Sequence, residues 1–364
     1  MSAKYFTPLV ASLPSTVPFV GPEAQERARG QCFRARIGAN ESVFGPSPKA
    51  IEAMQEAASQ VWMYADPENH DLKQALSAYH GVAPQNIVVG EGIDGLLGYV
   101  ARMFVEPGVK VVTSLGAYPT FNFHVAGYGG ELLTVPYKDD REDPDALIDL
   151  AKSSGARLIY ISNPDNPMGT WWDSTVMEEM IANVPDGAVL ILDEAYSEFA
   201  PEGTVPPLDV TNAKVLRFRT FSKARGMAGA RIGYAMGEAE LIQGFDKIRN
   251  HFGVNRVAQI GALAALDDDA YLAEVVEKVA KARGRISAIA QANGLYALPS
   301  ASNFVAIDCG KDGDYARSVL ARLIEQDIFV RMPGVAPQDR CIRVSAGLPA
   351  DLDTFEEALP KALA

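Results

Sequence analysis

From about residue 47 the chain alternates short apolar runs with helix-length segments, and this alternation restricts the fold more than any other feature. Six runs stand out: "NIVVG" (86–90), "KVVTSL" (110–115), "ELLTVP" (131–136), "RLIYIS" (157–162), "AVLILD" (188–193) and "KVLRFRTF" (214–221). Most are apolar or β-branched and bounded by Gly, Pro, Asn or Asp, the pattern of short buried strands. Between several lie helical segments such as "DGLLGYVARMF" and "DSTVMEEMIANV". The alternation predicts an α/β fold with a mostly parallel sheet covered on both faces. After about residue 246 the texture changes. A long helical region with an acidic break at 267–269 runs to about 292, followed by "SNFVAID", a helix over 314–326, "IFVRM", "CIRVSAG" and a final helix. That reads as a smaller α+β domain. The expected division is an extended, proline-rich N-terminal arm over 1–30, a large domain over 31–245 and a small C-terminal domain over 246–364. With 364 residues, 48% of them hydrophobic, the chain is long enough for two cores.

An open α/β sheet binds its ligands outside the carboxyl ends of its strands, so chemistry is sought just after each run. Gly90, Glu91, Gly92, Ile93, Asp94 and Gly95 end or follow the first run, and Ala117 and Tyr118 follow the second. "NPDNPMGT" follows "RLIYIS"; Asp193, Glu194, Ala195 and Tyr196 close "AVLILD"; Ser222 and Lys223 follow the last run. These ends offer amides for a phosphate, an aromatic ring, an amide side chain, a carboxylate beside a tyrosine, and a lysine. Arg231 stands eight positions after Lys223. "GEGIDG" also fits the dinucleotide fingerprint. That fingerprint needs an acid at the end of the next strand to bind the ribose, and here that strand ends Ser114, Leu115, Gly116. The simpler reading is a single phosphate on amides at a helix start. A nicotinamide-dependent oxidoreductase is the more distant alternative.

A formal net charge of −13, from 33 basic and 46 acidic residues, argues against a nucleic-acid footprint. Cys32, Cys309 and Cys341 are an odd set at unrelated spacings, and the four histidines are scattered. Neither a disulfide framework nor a metal site is expected, and a reducing compartment is. No run reaches membrane-spanning length, and "MSAKYFTPLVASLP" is broken by prolines where a signal peptide needs a continuous apolar stretch. The expectation is a soluble cytoplasmic protein.

In order and at separate strand ends, "NPDNPMGT", "DEAY" and "SKARGMAGARIGY" resemble the fold-type I pyridoxal-phosphate-dependent aminotransferases, and within them the histidinol-phosphate aminotransferase group. The resemblance runs from "ANESVFGPSP" to "IRVSAG". It implies a mostly parallel seven-stranded sheet, pyridoxal 5'-phosphate as cofactor and a homodimer. It makes Lys223 the Schiff-base lysine and Asp193 the partner of the pyridinium nitrogen. Chemistry agrees on Asp193: a buried carboxylate is costly without a partner, and its charge keeps that nitrogen protonated. Tyr196 and Asn166 become donors to the ring 3-oxygen. Tyr118 stacks on the ring, with Phe121 as the other candidate. Gly92, Ile93, Asp94, Ser222 and Arg231 hold the phosphate, and Tyr64 in "MYADPENHDL" reaches the phosphate of the neighbouring subunit's cofactor. Glu194 is read as structural.

On the substrate side the resemblance assigns Asn40 in "ANES", and Arg343, whose guanidinium can hold an oxygen pair. Arg331 in "FVRMPG" is a second candidate arginine, which favours a phosphate carrying close to two charges. Phe19 stands where the family has a tyrosine. The missing hydroxyl removes a hydrogen bond worth about 1.5–3 kcal/mol to a charged group and suits an aromatic or aliphatic substrate. The implied reaction moves an amino group from a small amino donor to a 2-oxo acid by a ping-pong mechanism. An aromatic amino-acid aminotransferase and a decarboxylase of a phosphorylated amino acid share this scaffold as alternatives. A non-catalytic effector-binding module would need a DNA-binding segment, and residues 1–30 are too short and not basic enough to supply one.

Overall fold

The computed structural model describes residues 5–15 and 20–364. Its strands in chain order are β1 (Ala35–Arg36), β2 (Ile87–Gly90), β3 (Lys110–Ser114), β4 (Glu131–Val135), β5 (Leu158–Ser162), β6 (Val189–Asp193), β7 (Val215–Thr220), β8 (Gly233–Gly237), β9 (Tyr296–Ala297), β10 (Phe304–Asp308), β11 (Ile328–Phe329) and β12 (Cys341–Ser345). The large sheet has seven strands in the order β2-β8-β7-β6-β5-β3-β4. Strand β8 is antiparallel to both β2 and β7, while the other pairings are parallel. Strands β2 to β7 therefore all point the same way, and their carboxyl ends meet along one edge.

Six of the seven strands are the runs that the sequence singles out. The seventh, β8, reads "GYAMG" and has no β-branched residue, yet it is buried along its length. Its glycines answer to space. A Cβ on Gly233 would lie 3.0 Å from backbone atoms of Ile93 and Arg219, and one on Gly237 would lie 2.8 Å from the Leu216 side chain. Close approach to its neighbours demands these residues, and strand propensity does not register that demand.

Local signals fix the helices that flank the sheet. Ser47 Oγ accepts from the Ala50 amide at the start of helix Pro48–Ala58, and Asp143 does the same for Ala146 at the start of Pro144–Ser154. Both helices have proline in the first turn, where its missing amide costs nothing. Helix Gly92–Phe104 buries Ile93, Leu96, Leu97, Val100 and Ala101, the spacing of a single face. Each large side chain on that face contributes about 1.5–3 kcal/mol of burial. The face packs into the same core as Phe121 and Tyr160 and so anchors the helix start.

The long helical region consists of Ala239–Asp246, Arg256–Leu266 and Asp269–Ala292, with the acidic break between the last two. Beyond it, β9, β10 and β12 form an antiparallel sheet. That sheet shares an apolar core with helices Asp269–Ala292, Gly313–Glu325 and Pro349–Leu363. Strand β1 pairs with β11 in parallel, and Ala35 and Ile37 enter the same core. This pairing carries Asn40 to the strand-end edge of the large sheet. The N-terminal segment differs from the extended arm that its prolines suggest: helices Pro8–Ser12 and Pro22–Arg29 lie within it, each with proline in its first turn. Proline there opens a helix instead of preventing one. Among the described residues no helix is long and apolar enough to cross a membrane.

Candidate active site

The carboxyl ends of the large sheet face the C-terminal part of the chain across a cavity of about 660 Å³. That volume suits a small cofactor together with a substrate. All but four of the candidate residues line it, and Phe121 is one of the four, buried in the core. Gly92 lies beside Ile93 at the helix start, Tyr64 is on the surface, and Phe19 lies outside the described residues.

Lys223 follows β7 and is half-buried, and its Nζ donates to the Asn40 carbonyl at 3.0 Å. Burial pushes its ammonium down to about 8, and the charge of Arg343 acts in the same direction. Asp193 ends β6, 5% exposed. Its Oδ2 accepts from the Tyr160 phenol at 2.8 Å and its Oδ1 from the Ala195 amide at 3.0 Å. Burial pushes its carboxyl up to about 6 against those two bonds. Among the described residues it makes no ion pair. Its neighbour Glu194 points elsewhere and is held by Arg217 and by Arg219 at 3.0 Å, so burial is outweighed and its carboxyl stays low. That is the structural role expected of it.

Tyr196 is buried, and its hydroxyl accepts from Asn40 Nδ2 at 3.1 Å. Burial raises its pKa, which keeps the phenol protonated and able to donate. Asn40 adopts φ 56 and is held from both sides: its amide donates to Ser345 Oγ at 3.0 Å, and its Oδ1 accepts from the same hydroxyl at 3.1 Å. Arg231, the other non-glycine residue of the cavity with positive φ (55), donates from Nη1 to Ala228 O at 3.0 Å. Left-handed backbone at a non-glycine residue persists where surrounding structure over-determines it, and such positions cluster at functional sites.

Asn166 Oδ1 accepts from Arg343 Nη1 at 2.6 Å, which orients the guanidinium and leaves the Asn166 amide group for another acceptor. Burial pushes Arg343 down to about 10, and its Nε is buried without a partner among the described residues. Arg331 joins Arg343 through a two-way backbone bridge, with N–O distances of 3.2 and 2.6 Å. Arg331 also donates from Nη2 to the Val20 carbonyl at 2.9 Å.

The helix start has the form of an anion cradle. Gly92 has φ +76, and a Cβ there would sit 2.6 Å from Arg231 Nη2. Only glycine lets the arginine pass this close to the amides of the first turn. Ser222 is buried beside them, its amide donating to Thr220 Oγ1 at 3.0 Å. The Asp94 carboxylate is turned to His124 Nε2 at 2.8 Å. Tyr118 caps helix Pro119–Gly127 and lines the cavity. Phe121, the other ring candidate, is fully buried and stacked on Tyr160, with centroids 4.7 Å apart. Tyr64 is 79% exposed and rests on the Phe252 ring at 4.7 Å.

These features fit the cofactor that the resemblance implies. They are a buried carboxylate without a cation, a cradle that a Cβ would fill, and a desolvated amine on the same cavity. Two supporting residues escape sequence reasoning. Tyr160 counts as one more apolar member of a buried strand, although a phenol in that setting needs an acceptor, and this is the available signal. Asp165 accepts from the Met168 amide at 2.8 Å and the Tyr137 hydroxyl at 2.8 Å, holding the loop that carries Asn166.

The family described as aminotransferase class I and II matches residues 36–359. A histidinol-phosphate aminotransferase of Moorella thermoacetica is 31% identical over 359 residues, covering 98% of this chain and 92% of that protein. A second, from Carboxydothermus hydrogenoformans, is 34% identical over 353 residues, covering 95% and 96%. The crystal structure of histidinol-phosphate aminotransferase from Sinorhizobium meliloti in complex with pyridoxal-5'-phosphate is 54% identical, with a TM-score of 0.96 over 98% of this chain and 97% of that one.

Proposed function

The chain belongs to the class I and II aminotransferases, and from that premise and its cavity we propose that its amino donor is histidinol phosphate and its acceptor a 2-oxo acid. It is a pyridoxal-phosphate-dependent transaminase of fold type I. The observation that carries the donor is the bridged pair Arg331 and Arg343 on one cavity wall. Burial lowers both guanidinium pKa values, and the charge of Arg331 lowers that of Arg343 further. Two like charges in a desolvated wall are costly unless an anion of more than one charge meets them. Glu41 opposes part of that cost at Arg331. A phosphate supplies both the charge and the acceptor oxygens.

The remaining residues divide the work. Pyridoxal phosphate supplies an electron sink for the substrate α-carbon. Asp193 offers its charge to the ring nitrogen, and Tyr196 and Asn166 offer donors to the ring 3-oxygen. The first-turn amides of Gly92, Ile93 and Asp94, with Ser222 and Arg231, would hold the phosphate. The Tyr118 ring would offer the pyridine an aromatic face to stack on. Lys223 Nζ, its basicity lowered by burial, would take the substrate α-proton in its neutral form and, as the ammonium, would give the same proton up again to complete the transfer.

The test is kcat/KM for histidinol phosphate against phenylalanine, with 2-oxoglutarate as acceptor. Wild type is expected to favour histidinol phosphate. Arg331→Ala should lower that value by roughly tenfold to a hundredfold, the worth of one hydrogen bond to a charged group, and leave phenylalanine little changed. Phe19→Tyr should raise it. The second reading, an aromatic amino-acid donor, rests on Phe19, which brings an apolar ring where a hydroxyl would serve a phosphate. A wild-type preference for phenylalanine, indifferent to Arg331→Ala, would establish that reading instead.

We also propose a homodimer with shared sites. Tyr64 does not line its own chain's cavity, and Val61, Trp62 and Phe252 are exposed with it. An apolar surface cluster of this kind suits burial against a second copy. Lys223→Ala and Tyr64→Ala proteins, each impaired alone, should regain activity on mixing, because one site of the heterodimer is intact. No recovery after verified subunit exchange would contradict sharing.

A further inference from the structure

We propose that Tyr160 is a positioning residue for the cofactor's ring nitrogen, acting through the Asp193 carboxylate. The inference rests on the reading that places Asp193 opposite that nitrogen. Strand β5 is otherwise aliphatic until its closing serine, and every residue in it is buried. A phenylalanine would fill the position as well, and a tyrosine there must find an acceptor for its hydroxyl. Tyr160 lies opposite Ile191, and Asp193 is two residues further along β6, so the two are diagonal neighbours on one face of the sheet. The phenol donates to Asp193 Oδ2 at 2.8 Å. Its ring lies against Phe121 with centroids 4.7 Å apart and planes 16° apart, which fixes where the phenol oxygen sits.

The Ala195 amide takes the other oxygen at 3.0 Å, so each carboxylate oxygen has one neutral donor and keeps lone pairs for the cavity. Glu194 shows the contrast: Arg217 and Arg219, two residues apart on β7, neutralise it. Asp193 is held by neutral donors, and its charge is left for a cationic N–H. Burial and the nearby Asp193 raise the Tyr160 phenol well above its ordinary range, so it stays a donor throughout the working pH range. Removing that donor moves Asp193 further up from about 6, towards the neutral form that cannot hold a pyridinium.

The test uses the full-length holoenzyme with Tyr160→Phe, which deletes one oxygen and leaves the Phe121 stack. Three quantities are read: pyridoxal phosphate Kd on reconstitution, the pH midpoint of the bound cofactor's visible band, and the Tm of the apoprotein. Kd is expected to rise roughly tenfold or more, as for loss of one hydrogen bond to a charged group, and the midpoint to move. Asp193→Asn should cost more, and adding Tyr160→Phe to it should cost nothing further. An unchanged Kd and midpoint in Tyr160→Phe, or the same penalty with and without Asp193, would overturn the inference. Wild-type cofactor affinity in Asp193→Asn would instead overturn the placement of Asp193, and the inference with it.

Discussion

Lys223→Ala is expected to lower kcat by at least about 10³-fold for every donor and acceptor, because under the proposed assignment it removes both the nucleophilic amine and the proton carrier. Among the described residues of the cavity wall it is the sole lysine, so no neighbour can take over. The fold should not suffer. Burial and the charge of Arg343 both disfavour this ammonium, so its loss removes a charge that the surroundings resist. The Tm of the apoprotein is therefore expected to stay level or rise. A kcat within tenfold of wild type would remove Lys223 from the chemistry.

Arg343→Ala is expected to give the second-largest loss, on the order of 10²-fold or more in kcat/KM for 2-oxoglutarate as well as for the amino donor. Truncating one partner of a buried hydrogen-bonded charge pair costs about 2–5 kcal/mol. Here the loss has two sources. The substrate acid group loses a two-pronged partner, and Asn166 loses the donor that sits 2.6 Å from its Oδ1. Arg343→Lys should recover little, since a single ammonium cannot hold both. Arg331→Ala should spare 2-oxoglutarate, and this separates the two arginines. If 2-oxoglutarate turnover by Arg343→Ala falls less than tenfold, the acid-group anchor lies elsewhere.

The strand ends were legible because each is a change of texture: an apolar run stops, and residues with chemistry begin. Asp193, Asn166, Ser222 and Lys223 all follow from that rule, and the structure brings them to one edge because β2 to β7 point the same way. Strand β8 was not legible as a strand, because its glycines are set by how closely β7 and the start of helix Gly92–Phe104 approach it and not by any run of strand-forming residues. The choice between Tyr118 and Phe121 depended on where a helix begins. With Tyr118 as the cap, its ring faces the cavity and Phe121 turns into the core, and periodicity does not locate a cap to within a residue. Tyr160 was hidden because a pattern of apolar residues counts its ring and ignores its hydroxyl. Asn40 was visible as a motif, but its left-handed backbone and its bonds to Ser345 come from a segment some three hundred residues away in the chain.

The assignment of Lys223 as the residue that carries the cofactor is tested most directly by chemistry on the holoenzyme. Protein loaded with pyridoxal phosphate is reduced with borohydride, digested, and the peptides are mapped by mass. The label is expected on the peptide containing Lys223, with loss of the visible band on reduction. A label on any other lysine, or a protein that takes up no pyridoxal phosphate, would contradict the assignment.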